Sequence, residues 1–423
     1  MYAWRRWFLI FAALALPGMA SVVTLLPGKP QTPAEVAFQK GVDLLNGGQA
    51  DKAAAAFRES LRLDPKQGIS YVGLADVAFK KKNWKEAEEQ FHKAVQNDPK
   101  NPGIQEAWGR FLFEMGRYQE AVAPLRAAAQ GEAKNAGVRI ALGDALMRGP
   151  KQANQAVEAY RDGLRLDPEH SGGLFGLGLA LQALGRWDEA SKTLELSAQL
   201  APNNALPEQA LGELLLARNE TAGAMAAFDA AVKRNPNFAL AHLSRGDIYF
   251  GRKNYTSAVT EYNQARTLNP KLAAAHMKAA MCYQVQGRPA EAKPAYLEVV
   301  KLRPGMAQAY NNLAWMAAEA GSDLDNALAW ARKATRLAPD NAEFLDTLGW
   351  VYYQRGAAAQ AMEPLRAATR KQPSASSFYH LGCAAQKLGQ TAEARAAFQR
   401  ALELDRALPQ ADDARRRLAQ LAR

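Results

Sequence analysis

Prolines recur along this chain of 423 residues with a spacing that chance does not produce. Nine of them, from Pro65 to Pro373, follow one another at 34 residues, apart from one step of 69 and one of 35. The step of 69 corresponds to two repeats in which Ala133 replaces the middle proline. A fixed period of this length is typical of repeat architectures, whose units stack on their neighbours. The chain is therefore predicted to be one repeat array rather than several ordinary domains.

Other positions keep the same period and indicate two helices in each repeat. A small residue lies twelve residues before each of these prolines, and a large apolar residue usually lies eight before it, as Ala53 and Phe57 do for the first. A glycine such as Gly116 or Gly356 falls between the two halves of a repeat, where it can adopt the left-handed conformation that ends a helix. Ala, Leu, Arg, Glu and Gln dominate the sequence, and this composition favours helix over strand.

The pattern resembles the tetratricopeptide repeat. The resemblance implies an all-α protein, a right-handed α-solenoid of about eleven helix-turn-helix repeats over residues 34–408. Residues 409–423 are expected to form a polar, Arg-rich capping helix, which a solenoid needs to close its core. The segments NNLAW (residues 311–315) and LDTLGWVYY (residues 345–353) also look like late repeats of bacterial tetratricopeptide proteins tied to exopolysaccharide export.

The first 26 residues have the form of an export signal or membrane anchor. Arg5 and Arg6 precede a stretch without charged residues from position 7 to 26, which is long enough to span a bilayer as an N-terminal hydrophobic helix. Cleavage after Ala20 would leave a periplasmic protein, whereas an intact segment would anchor the chain in the inner membrane, facing the periplasm. Three prolines within residues 27–33 indicate a short stiff linker to the array.

No motif in the sequence indicates catalysis, a cofactor or a metal. The two cysteines lie far apart, the five histidines do not have metal-ligand spacing on one helix, and no phosphate-binding glycine loop or nucleophile motif is present. His242 and His276 occupy equivalent positions in adjacent repeats, and we interpret them as packing residues. The chain is therefore predicted not to be an enzyme and to bind neither cofactor nor metal.

The net charge of +11 is expected to lie on the second helices, while the first helices line a concave groove in this fold. Aromatic and acidic residues alternate on the predicted groove face, which disfavours nucleic acid because phosphates would meet carboxylates. We expect a protein-interaction scaffold of the cell envelope that binds partner proteins or peptides there. The alternative is an accessory subunit that grips substrate or enzyme in a polysaccharide-export or secretion machine. The expected groove residues are Phe79, Phe113, Phe175, Phe250, Trp315, Trp350, Tyr353, Asp76, Asp144, Glu213 and Asp247.

Overall fold

The computed structural model describes residues 32–149 and 152–421, and every regular element in these ranges is an α-helix. The predicted N-terminal hydrophobic helix, its cleavage site and most of the linker fall in residues 1–31, outside the described part of the chain. No helix within the described residues has the length and apolar character needed to cross a bilayer.

The described residues divide into two compact units, one ending at Asn235 and the other beginning at Pro236. We call them the N-terminal unit and the C-terminal unit. The N-terminal unit contains six helix pairs, which are α1 (Pro33–Asn46), α2 (Ala50–Leu63), α3 (Gly68–Lys80), α4 (Trp84–Asn97), α5 (Pro102–Glu114), α6 (Tyr118–Gly131), α7 (Ala136–Arg148), α8 (Ala153–Leu166), α9 (Ser171–Ala183), α10 (Trp187–Leu200), α11 (Leu206–Ala217) and α12 (Thr221–Arg234).

The C-terminal unit contains five further pairs and one closing helix. They are α13 (Ala239–Gly251), α14 (Tyr255–Leu268), α15 (Ala273–Val285), α16 (Pro289–Leu302), α17 (Ala307–Glu319), α18 (Leu324–Leu337), α19 (Ala342–Gln354), α20 (Ala358–Lys371), α21 (Ala375–Lys387), α22 (Thr391–Leu404) and α23 (Ala411–Leu421). The eleven predicted repeats are thus present as eleven helix pairs. Within each unit, every second helix also packs on the first helix of the next pair.

The array begins one residue earlier than the sequence indicated, because Pro33 belongs to α1 rather than to the linker. The Thr32 hydroxyl accepts the backbone N–H of Glu35 at 3.2 Å, and the Glu35 carboxylate accepts the backbone N–H of Thr32 at 2.7 Å. This reciprocal capping satisfies two amide groups that have no partner inside the helix. Proline suits the first helical position since its missing N–H would find no helical partner there.

The periodic small and large residues form the core of each pair. The Ala of each repeat, for example Ala258 and Ala292, is fully buried, and so are the large residues four positions later, such as Tyr262 and Tyr296. If Gly246 on α13 carried a Cβ atom, that atom would lie 2.5 Å from the ring of Tyr262 on α14. Glycine at this position therefore permits the two helices of one repeat to approach closely, as the sequence pattern predicted.

Most of the tight turns inside the repeats use a residue with positive φ. Gly116, Gly185, Gly356 and Gly389, which were predicted to end first helices, have φ values between 71° and 82°. Lys82, Asn219 and Lys253 occupy the equivalent position in other repeats with φ near 60°. The turn geometry is thus kept even where the residue is not glycine, although this conformation is sterically unfavourable for other residues.

Candidate functional site: the inner positions of the first helices

The structure separates the eleven predicted groove residues into buried and accessible groups. Phe175 is 1% exposed, Phe113 5%, and Trp350 and Asp144 8% each, so these four side chains pack between helices rather than facing a partner. Their expected role as direct contacts stays a prediction, and burial leaves little of these four side chains accessible to a partner. The remaining seven are partly exposed, and they are Phe79, Phe250, Trp315, Tyr353, Asp76, Glu213 and Asp247.

In the N-terminal unit, the inner carboxylates are held by neighbours or by burial. The Tyr160 hydroxyl on α8 donates to Asp144 Oδ1 at 2.6 Å, and burial raises the pKa of Asp144 to about 6. Burial also raises the pKa of Asp76 to about 7, although the ammonium of Lys80 opposes this shift. Asp76 Oδ1 accepts no hydrogen bond from any described residue. Desolvation thus favours the protonated form of both groups.

In the C-terminal unit, Asp247 on α13 is compensated inside the protein. The Tyr262 hydroxyl donates to Asp247 Oδ1 at 2.8 Å, and Lys278 Nζ on α15 lies 2.7 Å from the same oxygen. The Lys278 ammonium also lies 6.0 Å from the centre of the Tyr262 ring. Because a cation of the next repeat already neutralises Asp247, this carboxylate is a poor attachment point for a basic partner.

Trp350 on α19 is the centre of a stacked aromatic cluster. Its ring lies 4.2 Å from the ring of His380 on α21 and 5.0 Å from that of Tyr353, with small interplanar angles. The indole N–H donates to Glu319 Oε1 on α17 at 2.9 Å. His380 Nδ1 lies 3.0 Å from both carboxylate oxygens of the buried Asp346. The cluster therefore ties α17, α19 and α21 together.

Trp315 on α17 differs from Trp350 because it stays partly exposed. Its ring centre lies 5.7 Å from that of His380, at the edge of the stacked cluster. Glu319 lies four residues further along the same helix and Glu343 at the start of α19, and both carboxylates are exposed. Trp315 and these two glutamates form what we call the Trp315 surface.

The sequence interpretation had overlooked three residues that shape this surface. His380 supports the indole of Trp350, Asn311 donates to Glu343 Oε1 at 3.0 Å, and Glu319 accepts from Trp350. A signal existed for Glu319 and Asn311, since each is four residues from Trp315 and such residues share one helix face. Nothing in the sequence indicated the His380 stack.

His242 and His276 lie in packing positions, as predicted. Both are largely buried, and each Nε2 lies about 3 Å from a proline carbonyl six residues earlier, that of Pro236 or Pro270. His242 Nδ1 also lies 2.8 Å from Glu261 Oε2. The described residues contain no group of three or more side chains suited to hold a metal ion.

Comparison with known families agrees with this geometry. One model of the tetratricopeptide repeat matches residues 38–102, 210–273 and 277–342, and a second matches residues 148–214. The chain belongs to the tetratricopeptide-repeat family. Residues 321–401 of this tetratricopeptide-repeat protein also match the model of anaphase-promoting complex, cyclosome, subunit 3. No curated protein matches the chain.

Several solved structures are similar to this tetratricopeptide-repeat protein. One is YrrB, described as a tetratricopeptide-repeat protein with an unusual peptide-binding site. It is 22% identical with a TM-score of 0.40, and the match covers 43% of this chain and 94% of YrrB. PilF of Pseudomonas aeruginosa is also 22% identical, with a TM-score of 0.44 and coverages of 50% and 96%. Yeast Tom70 is 14% identical with a TM-score of 0.37, and the coverages are 92% and 95%.

Proposed function

We propose that this protein is an interaction scaffold that binds a segment of a partner protein at the Trp315 surface. The supporting observation is a partly exposed indole between two exposed carboxylates that form no ion pair with any described residue. Amphipathic aromatic rings are frequent anchors of protein interfaces. The carboxylates add charge complementarity toward a basic segment and speed its association.

The second helices provide a contrasting surface. Arg62 and Arg165 are exposed there, and each pairs with an acid three residues earlier on its own helix, Glu59 or Asp162. Exposed pairs of this kind contribute little free energy, and each of these two charges is already balanced on its own helix. Substitution of Arg62 or Arg165 should therefore leave binding at the Trp315 surface unchanged.

The function can be tested by affinity capture from envelope extracts with the wild-type protein and two variants. Trp315→Ala should weaken capture of the specific partner by about 1–3 kcal/mol, which is typical of an aromatic anchor. Trp187→Ala is the matched control, because Trp187 is a 39% exposed tryptophan on the second helix α10. Thermal melts separate lost binding from lost stability. Equal capture by both variants at unchanged melting temperature would contradict the proposal.

We further propose that the scaffold works in the cell envelope, after export directed by Arg5, Arg6 and the uncharged stretch at positions 7–26. The second candidate function is that of an accessory subunit in a polysaccharide-export or secretion machine. It is supported by the resemblance of residues 311–315 and 345–353 to repeats of bacterial proteins tied to exopolysaccharide export. Cell fractionation tests the location. N-terminal sequencing distinguishes a mature start at Ser21 from an intact Met1, and an uncleaved protein in the cytosol would contradict export.

A further inference from the structure

We infer that the Trp315 surface binds the guanidinium group of an arginine in the partner segment. This inference rests on the proposed function and specifies its ligand. Three observations support it, namely the arrangement of side chains along α17, an exposed carboxylate held in place at one end of that arrangement, and the lack of any intramolecular cation there.

The first observation is the row of side chains on α17. Asn311, Trp315 and Glu319 follow one another at four-residue intervals, so they lie on one face of the helix. With a rise of 1.5 Å per residue, Asn311 and Glu319 are about 12 Å apart along the axis. Trp315 occupies the position midway between them. A planar cation on this indole would have the exposed Glu319 on one side and, beside Asn311, the exposed Glu343 on the other.

The second observation is an exposed carboxylate that two neighbouring amides hold in place. Asn311 Nδ2 and Gln308 Nε2 both donate to Glu343 Oε1, at 3.0 and 3.1 Å. Both amides thus direct a donor to the same carboxylate oxygen. Asn311 is only 2% exposed, so its own carbonyl oxygen is closed to a ligand from outside. The exposed Glu343 carboxylate, held in place by the two amides, is therefore the acceptor at this end of the row.

The third observation is the missing positive charge. Elsewhere in the C-terminal unit, cations of the protein itself lie over several aromatic rings, with Lys387 Nζ 5.4 Å from the Tyr353 ring and Lys293 Nζ 5.7 Å from the Trp330 ring. Among the described residues, no cation lies over Trp315, and neither Glu319 nor Glu343 forms an ion pair. A basic group from outside would supply the counter-charge to both.

Arginine fits these three requirements better than lysine does. Its guanidinium is planar, stacks on an indole and carries five N–H donors, so it can face Trp315 and still donate to an exposed carboxylate, that of Glu319 or Glu343. A lysine ammonium is a compact, strongly hydrated charge that cannot stack. A nucleic-acid backbone is disfavoured at this surface because its phosphates would meet Glu319 and Glu343.

The test uses the full-length protein and immobilised nine-residue peptides with randomised flanks and one fixed central residue. The centre is arginine, lysine, glutamate or citrulline, which has the shape of arginine without its charge. Arginine peptides should bind best, and their citrulline counterparts should bind about tenfold more weakly, as expected for a lost cation–π contact and charge pair. Raising the salt concentration should weaken only the binding of charged peptides.

Three variants locate the site on the protein. Trp315→Ala should reduce binding of arginine peptides about tenfold, whereas Trp315→Phe retains a ring and should restore part of it. Glu319→Gln should weaken binding and flatten its salt dependence. Glu298→Gln, which removes an acid of the second helix α16 that pairs with Lys301, serves as the control and should have no effect.

The outcomes distinguish this inference from the proposed function. If citrulline or glutamate peptides bind as well as arginine peptides and still require Trp315, the surface binds partners but not through a guanidinium, and the inference is overturned. The same conclusion follows if arginine peptides bind and Trp315→Ala changes nothing. If no peptide binds and Trp315→Ala also leaves partner capture unchanged, both the inference and the proposed function are wrong.

Discussion

At the scale of single residues, a close contact between a first-helix glycine and a second-helix ring joins the two helices in several repeats. Gly143 meets Tyr160, Gly212 meets Phe228 and Gly246 meets Tyr262, and an added Cβ would lie within 2.7 Å of the ring in each case. Because protein interiors are close-packed, the ring could not move aside without disturbing its neighbours. These contacts explain why the glycine and the large residue recur together.

Gly246→Ala should destabilise the protein by about 1–3 kcal/mol, the usual cost of overpacking a core. Gly251→Ala on the same helix is the matched control, because no atom lies within 4 Å of the position its Cβ would take. That change should be neutral or stabilise by up to about 1 kcal/mol through better helix propensity. Urea unfolding of both variants measures the difference, and equal stabilities would contradict the role given to the glycine.

Asp76 should make the stability of the N-terminal unit depend on pH. Its pKa of about 7 in the folded protein exceeds the value near 3.9 expected for an unfolded chain. The folded state therefore binds more protons between these values, and the contribution of Asp76 to stability is lost as pH rises from about 4 to 7. Asp76→Asn should remove this loss, so the variant should gain stability relative to wild type on going from pH 5 to pH 8.

Unfolding free energies at both pH values test this expectation, with Asp51→Asn as a control of opposite sign. The exposed Asp51 pairs with Lys81, whose hydrogen bond and charge lower the pKa of Asp51. The contribution of Asp51 to the free energy of unfolding is present above pH 4 and is lost as the pH falls further. This contribution should therefore not change between pH 5 and 8. A constant difference between wild type and Asp76→Asn at the two pH values would contradict the assignment.

The sequence could predict which residues recur but not how deeply each inner residue is buried. Phe175 and Phe250 both lie on first helices, yet Phe175 is fully buried and Phe250 is partly exposed. The burial of an inner side chain depends on the side chains that the adjoining repeats place beside it, and a period in one sequence does not contain that information. His380 was missed for the same reason, because its stacking partner Trp350 lies a full repeat away.

At the scale of helices, boundaries followed the sequence signals closely because each has a local chemical cause. The capping box of Thr32 and Glu35 begins α1, and the positive φ of Gly116 ends α5. Where a repeat holds one extra residue, near Asp323, the additional position also takes a positive φ of 56° and starts α18. Such caps can be predicted from the sequence because they involve residues only a few positions apart.

The closing helix α23 should protect the last repeat from solvent. Ala414 is fully buried against the C-terminal core, and the Tyr379 hydroxyl on α21 donates to Asp413 Oδ2 at 2.8 Å. Deletion of residues 409–423 should lower the melting temperature and the soluble yield, because it exposes the apolar flank of α22. Arg415→Ala, at a largely exposed position on α23, is the control and should change neither. An equally soluble and stable truncated protein would show that α23 is not a cap.

At the scale of the whole molecule, the two compact units have their own cores. The C-terminal unit contains two hydrophobic clusters, and Trp330 on α18 packs against both of them. The Trp315 surface lies entirely within this unit, whereas the buried Asp76 and Asp144 lie in the other. The interaction chemistry proposed here and the pH-dependent stability therefore belong to different parts of the chain.

Residues 236–423 should fold as a separate protein, because contacts in repeat arrays are made between neighbouring repeats. A fragment cut between repeats, residues 273–423, should also unfold cooperatively, although with lower stability. A fragment of similar length, residues 289–423, starts in the middle of a repeat and leaves α16 without its partner α15. Its stability should fall below that of residues 273–423 by more than the loss of sixteen residues alone would cause. Circular dichroism melts compare the three, and absence of a cooperative transition in residues 236–423 would contradict the expectation.

The glycine–ring contact has a consequence for how such a gene can change over time. Gly246 and Tyr262 lie sixteen residues apart, so the two members of the contact are always inherited within one repeat. Duplication or loss of a stretch of 34 codons would therefore carry both members of the pair with it. The array could change length in whole repeats without separating such a glycine from its ring.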